Sequence, residues 1–413
     1  MVPKGWEQKK LEELCSLDAP ITYGVLKPGE YFCGGIPLLQ IKDLCDGSVL
    51  SNGLHLISPE LDYEYRRSRI IKNDILISLV GTIGRVAKYQ RSSEANIHRN
   101  IGRIRSNQHE YLFHYLRSDD VQRGITDSAS GSSQSALNLS TLRSMLILVP
   151  PVIEQKKIAK ILSTWDKAIS VTEKLLTNSQ QQKKVLMQQL LTGKKRLLDD
   201  NGARYSETWE LYALSQLFQR VTTKNNGKST NVVTISGQYG LIKQEEFFKK
   251  SVASDTLDGY FLLKKGQFAY NKSYSNGYPM GAIKRLNRYP EGVVTTLYIC
   301  FELSTHQELF GDYWEHYFES GLLNNSLSQI AHEGGRAHGL LNVKPSDFFS
   351  LKVLVPGFEE QQKIAAVLSA ADAEISTLEK KLACLKDEKK ALMQQLLTGK
   401  RRVKVDAEEA VSA

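Results

Sequence analysis

Two stretches of this chain, 206 residues apart, repeat one another without a gap. Residues 154–196 and 360–402 agree at 25 of 43 positions, and the run Leu186–Lys194 returns letter for letter at Leu392–Lys400. The register extends back to Leu148-Val149-Pro150 and Leu354-Val355-Pro356, and Trp6-Glu7 is a possible counterpart of Trp209-Glu210. Between these anchors the halves barely resemble each other. A chain of 413 residues is thereby constrained to two units of about 200, each a variable body followed by a near-constant tail. The expected division is a first body over residues 1–150, a helical segment over 151–200, a second body over 201–355, a second helical segment over 356–402, and a tail over 403–413.

The constant tails read as long helices. Steps of four and three residues pick out Ile158, Leu162, Trp165, Ile169, Thr172, Leu176, Ser179, Lys183, Leu186 and Leu190 in the first copy. The second copy gives Ile364, Leu368, Ala371, Ile375, Leu378, Leu382, Leu385, Lys389, Leu392 and Leu396. A mostly apolar seam of this period, held over five heptads, predicts a coiled coil. Pro150 and Pro151 mark the start, and Gly193 and Gly399 stand where a helix stops. About 40 residues at 1.5 Å each make a rod of roughly 60 Å. Two seams of equal length in one chain most simply bury each other. The basic ends Lys194-Lys195-Arg196 and Lys400-Arg401-Arg402 suit the negative helix terminus, and phosphate contact is the alternative.

The bodies read as mixed α/β, so the fold class expected is α+β: two α/β domains separated by two long antiparallel helices, with an internal pseudo-twofold repeat. Ile75–Val80 and Val293–Ile299 look like strands, and Glu110–Leu116 and Asp312–Glu319 look like short helices. Ser128–Ser135 and Gly334-Gly335 read as exposed loops. No run of about 18 apolar residues occurs, which argues against a membrane span. Charge follows the N-terminus where a secretory signal would be apolar, and the five cysteines form no CxxC. The expectation is a cytoplasmic protein, not associated with membranes.

Catalytic motifs fail on inspection. Asn226-Gly227-Lys228-Ser229-Thr230 ends like a phosphate-binding loop, but Thr222 stands where its first glycine belongs. His332-Glu333-Gly334-Gly335-Arg336 lacks the second histidine of a zinc-protease helix. Val149-Pro150-Pro151-Val152 lacks the polar and aromatic flanks of a base-flipping methyltransferase loop. The expectation is a chain with no catalytic residue and no metal site.

The formal charge is +9, and each body holds one concentrated basic segment. Residues 85–105 carry Arg85, Lys88, Arg91, Arg99, Arg103 and Arg105 against one acid, Glu94. Residues 264–288 carry Lys264, Lys265, Lys272, Lys284, Arg285 and Arg288 with no acid, interleaved with Phe268, Tyr270, Tyr274 and Tyr278. A solvated charged face is the plain reading of either segment. Two at comparable depth favour DNA, where Lys and Arg hold phosphates and Asn, Arg and Ser read base edges.

The order of variable body, P-x-x-E-Q-x-K-I-A helix, L-M-Q-Q-L-L-T-G-K, and then the same again resembles the specificity subunits of type I restriction–modification systems. That resemblance implies two target-recognition domains, each reading one half of a split site in double-stranded DNA. It implies antiparallel helices that set the spacer between half-sites. It also implies docking of two modification (methyltransferase) subunits and two restriction (helicase-nuclease) subunits. S-adenosylmethionine, ATP and Mg2+ would then be bound by those partners and not by this chain. The family's recognition surface follows a strand like Lys72–Gly84, with a looser counterpart over Lys265–Gly281. The DNA-contact candidates are thus Ser78, Thr82, Arg85, Lys272, Ser273 and Tyr274, beside Lys88, Arg91, Arg99, Arg103, Arg105, Lys284, Arg285 and Arg288. Unlike bodies imply an asymmetric target. A stand-alone DNA-binding protein of this architecture, or a coiled-coil scaffold for proteins, is the alternative. Removing one heptad from both helices is expected to change spacer length and leave the half-sites unchanged, as methylome sequencing would reveal.

Overall fold

The computed structural model describes residues 2–45, 47–130, 136–203, 205–248, 256–331 and 341–404. The chain divides into two compact units, Met1–Glu173 with Lys380–Ala413, and Lys174–Glu379. This corrects the expected division. The two long helices, Val152–Leu190 and Phe358–Leu396, do not stand apart as spacer domains; each is shared, one part in each unit.

In the first unit, strand Glu7–Lys10 pairs antiparallel with Leu146–Val149, so the two ends of the body meet. The central sheet holds Thr22–Tyr23, Ile101–Ile104, Ile75–Ser78 and Val86–Lys88 side by side, all antiparallel. A second sheet sets Ile36–Leu39 between His55–Ile57 and Asn96–Ile97, the last pairing parallel. Helix His109–Leu116 packs its apolar residues into the core with Trp6, Leu11, Ile75 and Ile77.

The second unit closes the same way, through Glu210–Ala213 on Lys352–Val355. Its central sheet runs Phe218–Arg220, Ile299–Leu303, Phe268–Asn271 and Ala282–Arg285. In chain order, both central sheets read first, fourth, second, third. Bodies with little sequence in common therefore share one topology. The second core is more aromatic: Phe268 and Phe301 stack at 5.4 Å, with Phe218, Trp314, Phe318 and Phe348 around them.

One expected strand is broken. Val293–Ile299 is the end of strand Glu291–Val294, a turn over 295–298, and the start of strand Ile299–Leu303 in the other sheet. Leu297 is exposed at the turn, so the apolar run does not mark one buried face. The serine-rich stretch is also helical at its start, since helix Asp119–Ser130 enters it; the remainder, 131–135, and the 332–336 motif with Gly334-Gly335 lie outside the described residues.

Within each unit the helices pair antiparallel. In the first, Asp166 meets Lys389 at 2.5 Å and Glu173 meets Lys386 at 2.7 Å. In the second, Asp372 meets Lys183 at 2.5 Å and Ser179 donates to Glu374 at 3.1 Å. Lys183 and Lys389 are the charged interruptions of the two seams. A charged group at a seam position tolerates one register, in which its partner is opposite. Ile158, Leu162, Ile169, Leu190, Ile364, Leu368 and Leu396 are buried, whereas Trp165, Leu176, Leu186, Ile375, Leu382 and Leu392 are half-buried. Burial is complete where the helix pair also lies against a body. Ile158 and Leu162 join the first core together with Met393, Leu396 and Leu397. Ile364 and Leu368 join the second with Met187, Leu190 and Leu191. Each body is thus covered by the head of the helix that follows it and the tail of the other. Gly193 and Gly399 end the helices at φ of 69° and 70°, a conformation that disfavours a side chain. A Cβ on Gly399 would also meet Pro3 at 2.4 Å.

Candidate nucleic-acid interface

The loop after strand Ile75–Ser78 is built by Ser78 itself. Its hydroxyl donates to the Thr82 carbonyl and accepts from the Arg85 amide at 2.8 Å, closing the turn 78–85. Ser78 is completely buried, so it shapes the loop and does not contact a ligand directly. Arg85 reaches back to the Leu44 carbonyl at 3.0 Å. Thr82, at the tip, is exposed.

Much of the first basic segment is spent inside the domain, which corrects the expectation drawn from its charge. Arg103 is 3% exposed, and its guanidinium donates to the carbonyls of Pro20, Arg67 and Arg69. Arg105 forms two bonds to the buried Asp74, at 2.8 and 2.7 Å. Lys88 lies over the Phe113 ring, and burial lowers its pKa. Arg91 is half-buried and donates to the Leu50 carbonyl, while Arg99 is exposed.

The second segment behaves alike. Lys284 is bound by Glu319 and the Tyr278 hydroxyl, and Arg285 pairs with Asp312 at 2.5 Å while lying over Phe268. Lys272 is half-buried with its pKa lowered by burial, and it approaches the Val343 carbonyl at 3.4 Å. The Ser273 amide bonds to Asn271 at 3.0 Å. Tyr274 is 65% exposed, and Arg288 is exposed in a loose pair with Glu246 at 3.6 Å. Of the expected contact residues, Thr82 and Arg99 in the first unit, and Tyr274 and Arg288 in the second, are presented to solvent. Lys284 and Arg285 are met by acids of helix Gly311–Glu319 and Arg105 by Asp74, whereas Arg85, Arg91, Arg103 and Lys272 bond to carbonyls and Lys88 lies over a ring.

A second constellation underlies the repeated E-Q pair, and composition alone did not reveal it. Glu154 is 2% exposed; Arg402 grips it with two bonds of 2.7 Å and the Trp6 indole donates to it at 3.1 Å. Glu360 is 1% exposed; Arg196 grips it at 2.6 and 2.7 Å and Trp209 donates at 3.0 Å. Each arginine also bonds a carbonyl just before its tryptophan, of Lys4 and of Glu207. Gln155 and Gln361 donate to the carbonyls of Pro150 and Pro356 at 2.8 and 3.0 Å. The basic helix ends therefore carry Arg196 and Arg402 as partners for buried carboxylates, a third role beyond end-capping or phosphate contact. Letter-for-letter identity of the tails was the signal that could have found it.

This geometry defines a class: a protein of two like-folded, unlike-sequenced α+β units, each fastened to helix segments by the same clasp. Residues 3–178 match the family described as type I restriction modification DNA specificity domain. The chain is 33% identical over 165 residues to the type I restriction enzyme EcoBI specificity subunit of Escherichia coli; that stretch is 39% of this chain and 35% of the relative. It is 24% identical to the putative type I restriction enzyme MjaX specificity subunit of Methanocaldococcus jannaschii, across 98% of this chain and 95% of that one. In fold it is similar to the type I restriction–modification S subunit from M. genitalium, with a TM-score of 0.55 at 14% identity and 96% coverage of each chain. Residues 3–178 thus match a type I restriction modification DNA specificity domain, and over nearly its whole length the chain is similar to a specificity subunit of such a system.

Proposed function

We propose that each unit reads one half of a split, asymmetric site in double-stranded DNA, and that the chain itself carries out no chemistry. The observation that carries this reading is the contrast within the chain: one topology and one clasp occur twice, on bodies that differ in sequence. A shared frame holds the two readers alike, while unlike surfaces read unlike bases. In this reading the helix pairs are the docking ground for modification subunits, which bring S-adenosylmethionine and methylate adenine. Restriction subunits that use ATP and Mg2+ join the same assembly.

Exchange of residues 209–353 for the matching body of a relative tests the reading. Co-expressed with the modification subunit, the hybrid is expected to alter one half-site of the methylated motif and leave the other half intact. Methylome sequencing reads the result, and a change in both halves would sink the modular interpretation. A single continuous or palindromic motif for the wild-type chain would contradict the asymmetric site.

A further inference from the structure

The first unit contains a cleft to which the basic segments of the sequence contribute only Arg91. Its volume is about 490 Å3, and Tyr31, Gln40, Lys42, Ser51, His55 and Arg91 line it with a few small and apolar residues. Among the described residues no aspartate or glutamate lines it. The cleft beside the basic strand of the second unit differs, since Glu315 and Glu319 there answer Lys284 and Arg285.

Asp43, next to Lys42 in sequence, is buried and accepts the Gln40 amide at 2.8 Å, so its charge is used within the turn. Lys42 is exposed, and no described residue forms an ion pair with it. Arg91 anchors the carbonyl of Leu50 and so fixes the loop that forms one wall. His55 stands on strand His55–Ile57, opposite Leu38, with its ring edge-on to Tyr31 at 6.2 Å. Its Nε2 is buried with no hydrogen-bond partner among the described residues. A buried polar atom left unpaired is costly, so a ligand that supplies the missing bond is favoured there.

We propose that this cleft is a duplex-DNA contact site of the first unit, with Lys42 and Arg91 on backbone phosphates and Gln40 and His55 presented to base edges. The proposal rests on the reading of this unit as a DNA reader and adds the residues that do it. A cationic cleft with no acid among its described lining residues suits a polyanion, and a glutamine amide offers the donor and acceptor pair that an adenine edge matches.

The test is binding of the full chain to a mixed-sequence duplex of about 50 base pairs across a salt series. The double variant Lys42→Ala/Arg91→Ala is expected to weaken binding on the order of tenfold near physiological salt and to lower the slope of log affinity against log salt by about 2. Lys156→Ala/Lys160→Ala, which removes the same charge from exposed positions of the first long helix, serves as comparator. Because Arg91 also holds a loop, Lys42→Glu alone provides a variant that keeps that anchor; it too is expected to weaken binding, with an unchanged melting temperature. Losses no greater than the comparator's, or an unchanged slope, overturn the site while leaving the function intact. Failure of the wild-type chain to bind any duplex overturns both.

Discussion

Replacing Glu360 with alanine is expected to destabilise the second unit by about 2–4 kcal/mol, among the largest effects of any single substitution in the chain. Glu360 is 1% exposed, and three donors converge on it: two nitrogens of Arg196 and the indole of Trp209. Without the carboxylate, the guanidinium over the Trp209 ring loses its counter-charge and the indole N–H loses its acceptor. Arg196 keeps some access to water, which holds the loss below that of a fully buried ion. Glu154→Ala is expected to act equally on the first unit, through Arg402 and Trp6. Denaturant unfolding of the single variants, and of Glu360→Ala with Arg196→Met, would measure the coupling. A loss below about 0.5 kcal/mol in the single variants would mean that the clasp contributes little beyond a surface ion pair.

Acidification is expected to weaken both units between pH 6.5 and pH 4 through one histidine in each. His114 bonds Ser163 at 3.0 Å, and His316 bonds Ser369 at 2.9 Å, each serine being the twelfth residue of its long helix. Burial, with the charges of Lys389, Arg117 and Lys88 behind it, lowers the His114 pKa to about 3, although Asp166 opposes the shift. Burial also lowers that of His316, where Asp372 opposes it and Lys183 adds to it. A histidine kept neutral in the fold takes up its proton first in the unfolded chain. Its contribution is therefore complete above the unfolded value of 6.5 and is lost as pH falls below it, toward the lower folded value. For His114 the loss approaches ~1.4 kcal/mol per pH unit across that window. Other groups also titrate over an acid series, so the comparison is made with His114→Gln and His316→Gln. Their unfolding midpoints should fall less steeply from pH 7 to 5 than the wild type's; parallel curves would refute the assignment.

The helices were legible because their signal is local and periodic: an apolar residue at every third or fourth position, and a glycine at the stop. Short body helices such as His109–Leu116 and the strand Ile75–Ser78 were legible for the same reason. Strand Glu291–Val294 was overextended because an apolar run carries no mark of the point where it changes sheets. The contact residues were the least legible. Charge in a sequence states how many cations exist, and not which of them face acids brought in from elsewhere. Asp74 lies 31 positions from Arg105, and Asp312 lies 27 from Arg285, beyond the reach of any local pattern. Of the lining of the proposed cleft only Arg91 was among the expected contacts, since Tyr31, Gln40 and His55 form no cluster along the chain.

Sequence by itself determined that this protein has two homologous halves, that each carries a helix of the same length, and that Lys183 and Lys389 are the charged positions of mostly apolar seams. Tertiary structure alone decided which helix segments cover each body, and that Asp372 and Asp166 await those lysines. It also decided that Arg103 and Arg105 are structural while Lys42 is open to a ligand. The physical reason is one of range. Periodicity and glycine stops act over a few residues, whereas desolvation and charge pairing depend on neighbours that only folding brings together.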